Sequence, residues 1–310
     1  MSKLKTQISD SEVLAFLHIK FPQIIQDFKI IHGGETSQGF SYQKENKDYI
    51  IRINKNEYSF RKDKYAYENF ANANIPIPKV MEIGRFNEDY SFAISELAPG
   101  KPLDLFSKKE LIPILPQLVK ILDDIHNSKI TTEKYGDLDI NGKGQFDSWL
   151  QFLQDIKGNY STKWEQKYRK ILSDMNIESK FWKKYEALYK YLPEERYLIH
   201  GDYGYNNIIS NKEKITGILD WENSKVGDFL YDVAWLDFWD KLVDADEKIN
   251  YSHVFSQYYE NLGRKLPYYE ERLLCYKIHI GLGTLDFYAK SDQMESFVWA
   301  IDFIRPLIND

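Results

Sequence analysis

Hydrophobic and polar residues alternate in short runs over residues 30–97, which is the pattern of half-buried β-strands. The clearest runs are 40–43, 49–53, 80–86 and 90–97. Turn-prone stretches such as Gly33-Gly34 and Asn46-Lys47-Asp48 separate them. These runs predict one antiparallel sheet in the first third of the chain.

One segment inside this region has helical spacing instead. Residues 61–74 place Tyr65, Ala66, Phe70 and Ala73 on one face, which predicts an amphipathic helix. The sequence IPIP follows it, and proline disfavours the helical conformation in the residue before it. The predicted helix therefore ends by residue 74.

Beyond residue 100 the pattern is mostly helical. Residues 111–125 carry an apolar stripe, and 181–192, 251–262, 269–289 and 297–308 are similarly periodic. His126 follows the first stripe and is expected to cap that helix at its C-terminus. Two short apolar runs, 197–199 and 215–219, predict strands within this helical half. The fold class is therefore α+β, with a small antiparallel-sheet lobe and a larger helical lobe.

Composition narrows the class of protein. A chain of 310 residues suggests about two domains, and 43% hydrophobic with 28% charged residues is ordinary for a packed globular protein. The net charge of −6 argues against a nucleic-acid binder. No segment has the uncharged apolar length of a membrane span, and the N-terminus lacks a signal-peptide run. We expect a cytoplasmic protein without membrane or nucleic-acid partners, whose single cysteine, Cys275, is a buried thiol.

Acidic residues follow both short strands of the helical half. Asp202 stands in HGDYGYNN after one strand, and Asp220 stands in ILDWE after the other. A strand end holds a carboxylate rigidly while leaving it accessible. Asp202, Asn207 and Asp220 offer the hard oxygen donors that Mg²⁺ prefers, and phosphoryl transfer needs a metal on the phosphates and a carboxylate at the acceptor hydroxyl. The alternative interpretation is that both aspartates are turn or helix-cap residues.

The segments HGDYGYNN and ILDWENSKVGDFLYDVAW together resemble the paired signature of the aminoglycoside phosphotransferases and their kinase-like relatives, including choline kinases. The resemblance extends over most of the chain and is closest to hygromycin B phosphotransferases, through YIIRIN, DKYAYENFANANIPIPKVMEIGRF and GQFDSWLQFL. It implies a bilobal protein-kinase-like fold. Residues 1–97 would form the nucleotide-binding lobe and residues 98–310 the catalytic and substrate lobe.

The resemblance also implies roles for individual residues. Asp202 would be the catalytic base, and Asn207 and Asp220 would bind the Mg²⁺ that accompanies ATP. Other residues would shape or brace the catalytic loop, namely His200, Gly227, Asp228 and Asp232.

Residues that would contact the nucleotide are predicted in three segments of the chain. In GGETSQG, residues 33–39, the backbone amides and the Ser37 hydroxyl would cover phosphates, although an ordinary hairpin turn has the same composition. Arg52 stands in YIIRIN where most relatives have lysine, and Glu68 lies at the spacing of its acidic partner. We expect an Arg52–Glu68 pair at the site, the alternative being a surface ion pair. Ser95 and Leu97 lie in a tether near residues 95–101 that joins the two predicted lobes, and the resemblance implies that its main chain pairs with the base of ATP or GTP.

Residues that would contact the acceptor molecule are predicted in the segment that follows the second acidic motif. Asp237, Asp240 and Asp244 share one face of a helix, and Trp235 and Trp239 offer flat surfaces to a sugar ring or a cation. The alternative is a solvated acidic face with tryptophans in the core. The predicted contacts to a cationic aminoglycoside are Asn206, Asp237, Trp239 and Asp240.

The expected function is an ATP- and Mg²⁺-dependent O-phosphotransferase that confers aminoglycoside resistance, with hygromycin B as the first candidate acceptor. One alternative keeps the chemistry and changes the acceptor to choline, a sugar or another small hydroxylated metabolite. Another is a non-catalytic nucleotide-binding module, which the arginine at position 52 favours and the three oxygen donors oppose. We expect a monomer or a weak homodimer.

Overall fold

The computed structural model describes residues 6–31, 37–240 and 248–308, with the backbone alone at 161–163. The contacts divide the chain into two units. The first comprises Met1–Phe106 with Tyr205–Glu222, and the second comprises Ser107–Gly204 with Asn223–Asp310. Strands and helices occur in both, and the assignment of residues 1–97 to nucleotide binding and 98–310 to the acceptor stays a prediction.

The first unit is built on a five-stranded antiparallel sheet of order β1-β2-β3-β5-β4. The strands are β1 (Gln26–Ile31), β2 (Gln38–Lys44), β3 (Lys47–Asn54), β4 (Val80–Arg85) and β5 (Ser91–Glu96). Four of them agree with the predicted runs to within three residues at each end. β1 was not among the predicted runs, because its burial shows no alternation and it lies at the edge of the sheet.

Helix α1 (Asp10–Lys20) covers this sheet and was not predicted. It starts with a capping box in which Ser9 and Glu12 bond each other's backbone amides. Its Val13 and Leu17 pack into a core cluster with Phe40 and other residues of the sheet. The remaining apolar side chains of the helix are scattered around its axis, so its hydrophobic periodicity was too weak to signal a helix.

Helix α2 (Tyr58–Phe70) lies between β3 and β4 and ends four residues before the predicted boundary. The Asn72 side chain accepts hydrogen bonds from the amides of Asn74 (2.8 Å) and Ile75 (3.2 Å). This local turn competes with the helical hydrogen bonds, so the helix ends before the prolines.

A second sheet joins residues 205–222 to the first unit. Its strands, in spatial order, are β10 (Ile215–Ile218), β9 (Ile208–Ser210) and β6 (Lys101–Pro102). The Ile218 amide also donates to the carbonyl of Pro76 at 2.8 Å. This bond ties residues 205–222 to the loop that precedes β4.

The second unit is mainly helical, as predicted. Its helices are α3 (Lys108–Leu111), α4 (Leu115–His126), α5 (Trp149–Lys163), α6 (Gln166–Asp174), α7 (Glu178–Leu188), α8 (Leu230–Trp239), α9 (Tyr251–Asn261), α10 (Tyr269–Lys290) and α11 (Met294–Ile304). A small sheet of order β7-β11-β8 is formed by Gly136–Asp137, Lys225–Gly227 and Tyr197–Ile199. None of the helices within the described ranges is long and apolar enough to cross a bilayer.

The core of the second unit surrounds α10. Asp228 is fully buried and is bound by two nitrogens of Arg272, at 2.8 and 2.6 Å, and by the Tyr276 hydroxyl. Trp149 donates its indole N–H to the same hydroxyl at 3.1 Å. Cys275 is buried beside them, and burial raises the pKa of its thiol well above the usual range, so the thiol is unreactive as expected.

Candidate active site

The predicted catalytic loop, HGDYGYNN, begins in the second unit, where β8 ends. The backbone amides of His200 and Gly201 donate to the two carboxylate oxygens of Asp232, at 2.9 and 2.8 Å. Asp232 lies fully buried in the first turn of α8. Burial alone would raise the pKa of Asp232, but hydrogen bonds and nearby histidines lower it below its usual value. Asp232 therefore braces the loop as a buried carboxylate.

His126 is the third partner of this carboxylate. Its Nε2 lies 3.0 Å from Oδ2 of Asp232, and the ring is fully buried at the end of α4. The expectation that His126 caps its helix is therefore wrong. Asn127 fills that role, because its side-chain amide donates to the carbonyl of Asp123 at 2.6 Å.

Asp202 follows the two braced amides. Its own amide donates to Nδ1 of His200 at 3.2 Å, and its carbonyl accepts from the amide of Gly204 at 2.8 Å. The residue is half-buried. Gly201 before it has φ +80°, and a Cβ there would lie 2.1 Å from the carbonyl oxygen of Asn223. Glycine is thus required to place Asp202.

The two predicted metal ligands both belong to the first unit. Asn207 is buried immediately before β9, and its carbonyl accepts the amide of Leu219 at 2.8 Å. Asp220 comes next after Leu219, with φ +61°, a left-handed conformation that aspartate tolerates. The exposed Asn206 donates its side-chain amide to Oδ1 of Asn207 at 3.2 Å. One backbone hydrogen bond thus ties the two segments that carry the ligands.

The environment of Asp220 suits a cation. Burial and then the carboxylate of Asp63 raise the pKa of Asp220 to about 6, although Arg52 and the Glu222 amide lower it. A carboxylate that is destabilised by burial and by a second carboxylate gains most from a bound metal ion. The oxygen donors present at Asn207 and Asp220 therefore fit Mg²⁺.

Asp63 links this loop to the cation of β3. Its Oδ2 accepts from Arg52 at 2.7 Å, and its Oδ1 accepts from the backbone amide of Trp221 at 2.9 Å. Sequence reasoning missed Asp63, although one signal was present. Phe60, Ala66 and Phe70 form the buried face of α2, and Asp63 stands on that apolar face.

The expected Arg52–Glu68 ion pair is wrong. The Glu68 side chain is 56% exposed, and its ion-pair partner in the described residues is Lys64, four residues earlier on the helix, at 3.8 Å. Asp63 and Glu68 are five residues apart, which turns them about 140° away from each other around α2. Only the Asp63 face of the helix meets Arg52.

Comparison with known proteins shows the family of this chain. Residues 27–266 match the phosphotransferase enzyme family. The chain belongs to that family. Hygromycin-B 4-O-kinase of Escherichia coli is 28% identical over 300 residues, covering 96% of this chain and 84% of that protein. The family resemblance inferred from the two motifs is confirmed.

Solved structures confirm the predicted kinase-like α+β fold. The crystal structure of aminoglycoside phosphotransferase APH(4)-Ia has a TM-score of 0.83 at 26% identity, covering 97% of this chain and 98% of that one. A thermostable mutant of APH(4)-Ia in ternary complex with AMP-PNP and hygromycin B has a TM-score of 0.82 at 27% identity, covering 96% and 98%. Aminoglycoside 2'-phosphotransferase-IIIa, solved with GDP, shares the fold at 13% identity and a TM-score of 0.66, covering 97% and 98%.

The predicted nucleotide contacts of this phosphotransferase lie in the first unit. Ser37 accepts a hydrogen bond from the Asn54 side chain at 3.0 Å, while residues 33–36 of its loop lie outside the described residues. The buried Ser95 hydroxyl has no hydrogen-bond partner in the described part of the chain. Leu97 donates its amide to the carbonyl of Asp48 at 3.1 Å.

The predicted acceptor residues differ in their partners. Asp237 forms an ion pair with Lys277 at 2.8 Å, so its charge is largely compensated. Asp240 is buried, and one of its oxygens accepts the Ile249 amide at 3.0 Å. Its other oxygen has no hydrogen-bond partner in the described ranges, and burial raises the pKa of Asp240 to about 6. Asp244 lies outside the described residues.

Trp239 belongs to an aromatic cluster next to these acids. Its ring stacks on Phe303 with centroids 5.8 Å apart, and it meets Trp235 edge-on at 5.8 Å. The residue is half-buried, so part of it is accessible. The two interpretations weighed from the sequence, core packing and a surface for a ligand, are both compatible with this position.

Proposed function

We propose that this chain transfers the γ-phosphate of ATP to a hydroxyl group of hygromycin B, with Asp202 as the base and Asn207 and Asp220 as ligands of Mg²⁺. The predicted class of enzyme, an ATP-dependent aminoglycoside O-phosphotransferase, is confirmed by the family and by the relatives crystallised with AMP-PNP and hygromycin B. The residue roles and the identity of the acceptor are proposals.

The observation that carries the proposal is the anchoring of each oxygen donor. Asp202 follows two amides that are bound to a buried carboxylate, and Asn207 and Asp220 are tied through Leu219. Phosphoryl transfer depends mainly on positioning and on charge stabilisation, so rigidly held carboxylates are what the reaction requires.

Asp202 would accept the proton of the acceptor hydroxyl as its oxygen attacks the γ-phosphorus and the bond to the β-phosphate oxygen breaks. When bound, Mg²⁺ supplies charge neutralisation at the phosphate oxygens. Arg52, oriented by Asp63, would contact phosphates, and Ser37 would help to cover them. The Leu97 carbonyl and Ser95 would contribute to the pocket for the base. Glu68 has no part in this assignment.

The acceptor would be held by Asn206, Asp237, Trp239 and Asp240. Hygromycin B is an aminoglycoside, so its amines are attracted to carboxylates and its rings can pack on an indole. Asp240 supports this role best, because it has a buried oxygen without a partner in the described residues. Asp237 is already paired with Lys277 and contributes less.

The test is expression in a sensitive host with a panel of aminoglycosides, combined with mass analysis for a phosphorylated product. We expect resistance to hygromycin B and a product heavier by one phosphate. Asp202→Asn should lower kcat by about 100-fold or more while AMP-PNP still binds. The matched control is Asp302→Asn, an exposed aspartate of the same unit that pairs with Arg305.

Two results would change the proposal. Wild-type turnover in Asp202→Asn would rule out Asp202 as the catalytic base. Phosphorylation of choline or a sugar, with no aminoglycoside accepted, would keep the chemistry and replace the acceptor. The cytoplasmic location, the lack of membrane and nucleic-acid partners and the monomer or weak dimer stay predictions.

A further inference from the structure

A buried ammonium group lies at the centre of the small sheet of the second unit. Lys225 on β11 pairs with Asp137 of β7 on one side and with Ile199 of β8 on the other. Directly opposed residues of antiparallel strands place their side chains on one face. The Lys225 side chain is only 6% exposed. Burying a charge is costly unless it is paired, so the contacts of this group indicate its role.

Four groups contact the ammonium. Nζ of Lys225 donates to the carbonyl of Asn223 at 2.6 Å and lies 3.2 Å from Oδ1 of Asp137. It also lies 5.1 Å from the ring centroid of Tyr231 and 5.9 Å from that of Phe152. The Asp137 side chain is 53% exposed, so water screens its charge. Asp137 therefore compensates the buried ammonium only in part.

The same group packs against the catalytic loop. A Cβ at Gly201 would lie 2.6 Å from Nζ of Lys225 and 2.1 Å from the carbonyl oxygen of Asn223. The ammonium and the carbonyl that it binds thus occupy the space beside the Gly201 backbone. Consecutive Cα atoms are about 3.8 Å apart, which places the Cα of Asp202 within about 8 Å of Nζ.

We propose that Lys225 is a positioning residue for Asp202, which fixes the catalytic loop through the Asn223 carbonyl and supplies positive charge that favours Asp202 as a carboxylate. The inference rests on the proposed role of Asp202 as the base. It assigns to this lysine a task that none of the predicted site residues performs.

The histidine and the tyrosine next to Lys225 are neutral, so they neither offset nor add to its positive charge. Burial and the charge of Lys225 lower the pKa of His279 to about 3, so this histidine is neutral. Burial, and then nearby carboxylates, raise the pKa of Tyr231 well above its usual value, so this phenol is neutral too. The charged and titratable groups that face the ammonium or the loop are Asp137 from β7, Tyr231 and Asp232 from α8, His279 from α10, His126 from α4 and His200 in the loop.

The test is the pH profile of kcat/KM for hygromycin B, or for the acceptor that the panel identifies. Mg²⁺ is held at saturation at every pH, so that proton competition at Asp220 does not limit the rate. Under that condition protonation of Asp202 is expected to cause the loss of activity at low pH, and removing a nearby positive charge should move this acidic limb to higher pH. The carboxylate oxygens of Asp202 lie about 3 Å beyond its Cα, so the two charges are at most about 11 Å apart, and Lys225→Met should move the limb up by at least about 0.3 pH units. Lys225→Arg keeps the charge and should keep the limb near its wild-type position.

Asp137→Asn provides a test of opposite sign. It removes a carboxylate that partly compensates Lys225, so the limb should move to lower pH. The matched control is Lys157→Met, since Lys157 also pairs with an acid, Glu186, and lies 5.5 Å from the ring of Trp182. This control should leave the limb unchanged. A purely structural role of Lys225 would not give shifts of opposite sign.

The outcomes separate the two proposals. An unmoved limb in Lys225→Met, or shifts of the same sign in Lys225→Met and Asp137→Asn, would overturn the role of Lys225. If Lys225→Met does not fold, the test rests on Asp137→Asn, which should fold because the Asp137 side chain is half-exposed. An acidic limb that does not move in Asp137→Asn would then overturn the inference. Wild-type turnover in Asp202→Asn would instead overturn the assignment of Asp202 as the base. If Asp202→Asn is inactive but the acidic limb stays in place in Lys225→Met and Asp137→Asn, only the role of Lys225 is overturned.

Discussion

The pairing of Arg52 with Asp63 can be tested by removing one charge at a time. Asp63→Asn keeps the shape of the side chain and removes the carboxylate that binds both Arg52 and the Trp221 amide. Glu68→Gln makes the same chemical change on the same helix, at an exposed position. The two variants therefore compare the contact that the structure shows with the contact that sequence spacing predicts.

The expected magnitudes follow from burial. Breaking a fully buried ion pair costs about 3–5 kcal/mol, whereas an exposed pair contributes about 0–1 kcal/mol. The side chains of Asp63 and Arg52 are 9% and 24% exposed, which is between these limits but nearer to the first. We expect Asp63→Asn to lower the free energy of unfolding by ~2 kcal/mol, or Tm by about 4–8 °C. Glu68→Gln should change it by less than ~0.5 kcal/mol.

The activity assay should separate the variants as well. Freeing Arg52 from its carboxylate removes the restraint on a proposed phosphate contact, so KM for ATP should rise about tenfold in Asp63→Asn. Glu68→Gln should keep the wild-type KM. Thermal unfolding and steady-state kinetics in ATP measure both quantities. A larger effect of Glu68→Gln than of Asp63→Asn, on either quantity, would refute the reasoning.

Two further predictions concern pH and acceptor binding. Because burial, and secondarily Asp63, raise the pKa of Asp220 to about 6, a proton competes with Mg²⁺ below that pH. Calorimetric affinity for Mg²⁺ with AMP-PNP should fall by up to about tenfold per pH unit below 6 and be flat above it, and a constant affinity would contradict the metal role of Asp220. Asp240→Asn should raise KM for hygromycin B by about tenfold, and Asp237→Asn by much less because Lys277 already compensates Asp237. Equal effects of the two substitutions in steady-state kinetics would show that this compensation is unimportant.

Much of the architecture was predictable because it depends on local spacing. Alternation over residues 38–54 predicts two neighbouring strands, and helical periodicity over 251–290 predicts two helices whose observed bounds differ by a residue or two. The motif around Asp202 could be placed at a strand end for the same reason. Periodicity shows which side chains share a face, and that is a property of the chain alone.

The partners of the site residues depended on packing between distant segments. Spacing along the chain predicted an acidic partner for Arg52 on α2 but could not show which side of the helix meets Arg52. The acidic residue on that side is Asp63. His126 is a typical helix-end residue by sequence, yet its ring binds Asp232, which lies 106 positions away.

The assignment of residues 205–222 to the first unit has a similar cause. Strand β9 pairs with β10, its neighbour along the chain, and also with β6, which lies much earlier in the chain. No local pattern in the sequence predicts the pairing with β6. Sequence by itself therefore determined four strands of the first sheet, several of the helices, the family and the chemistry of the motifs. Tertiary structure decided which charges meet, because a contact between segments far apart in the chain depends on how their faces are turned toward each other.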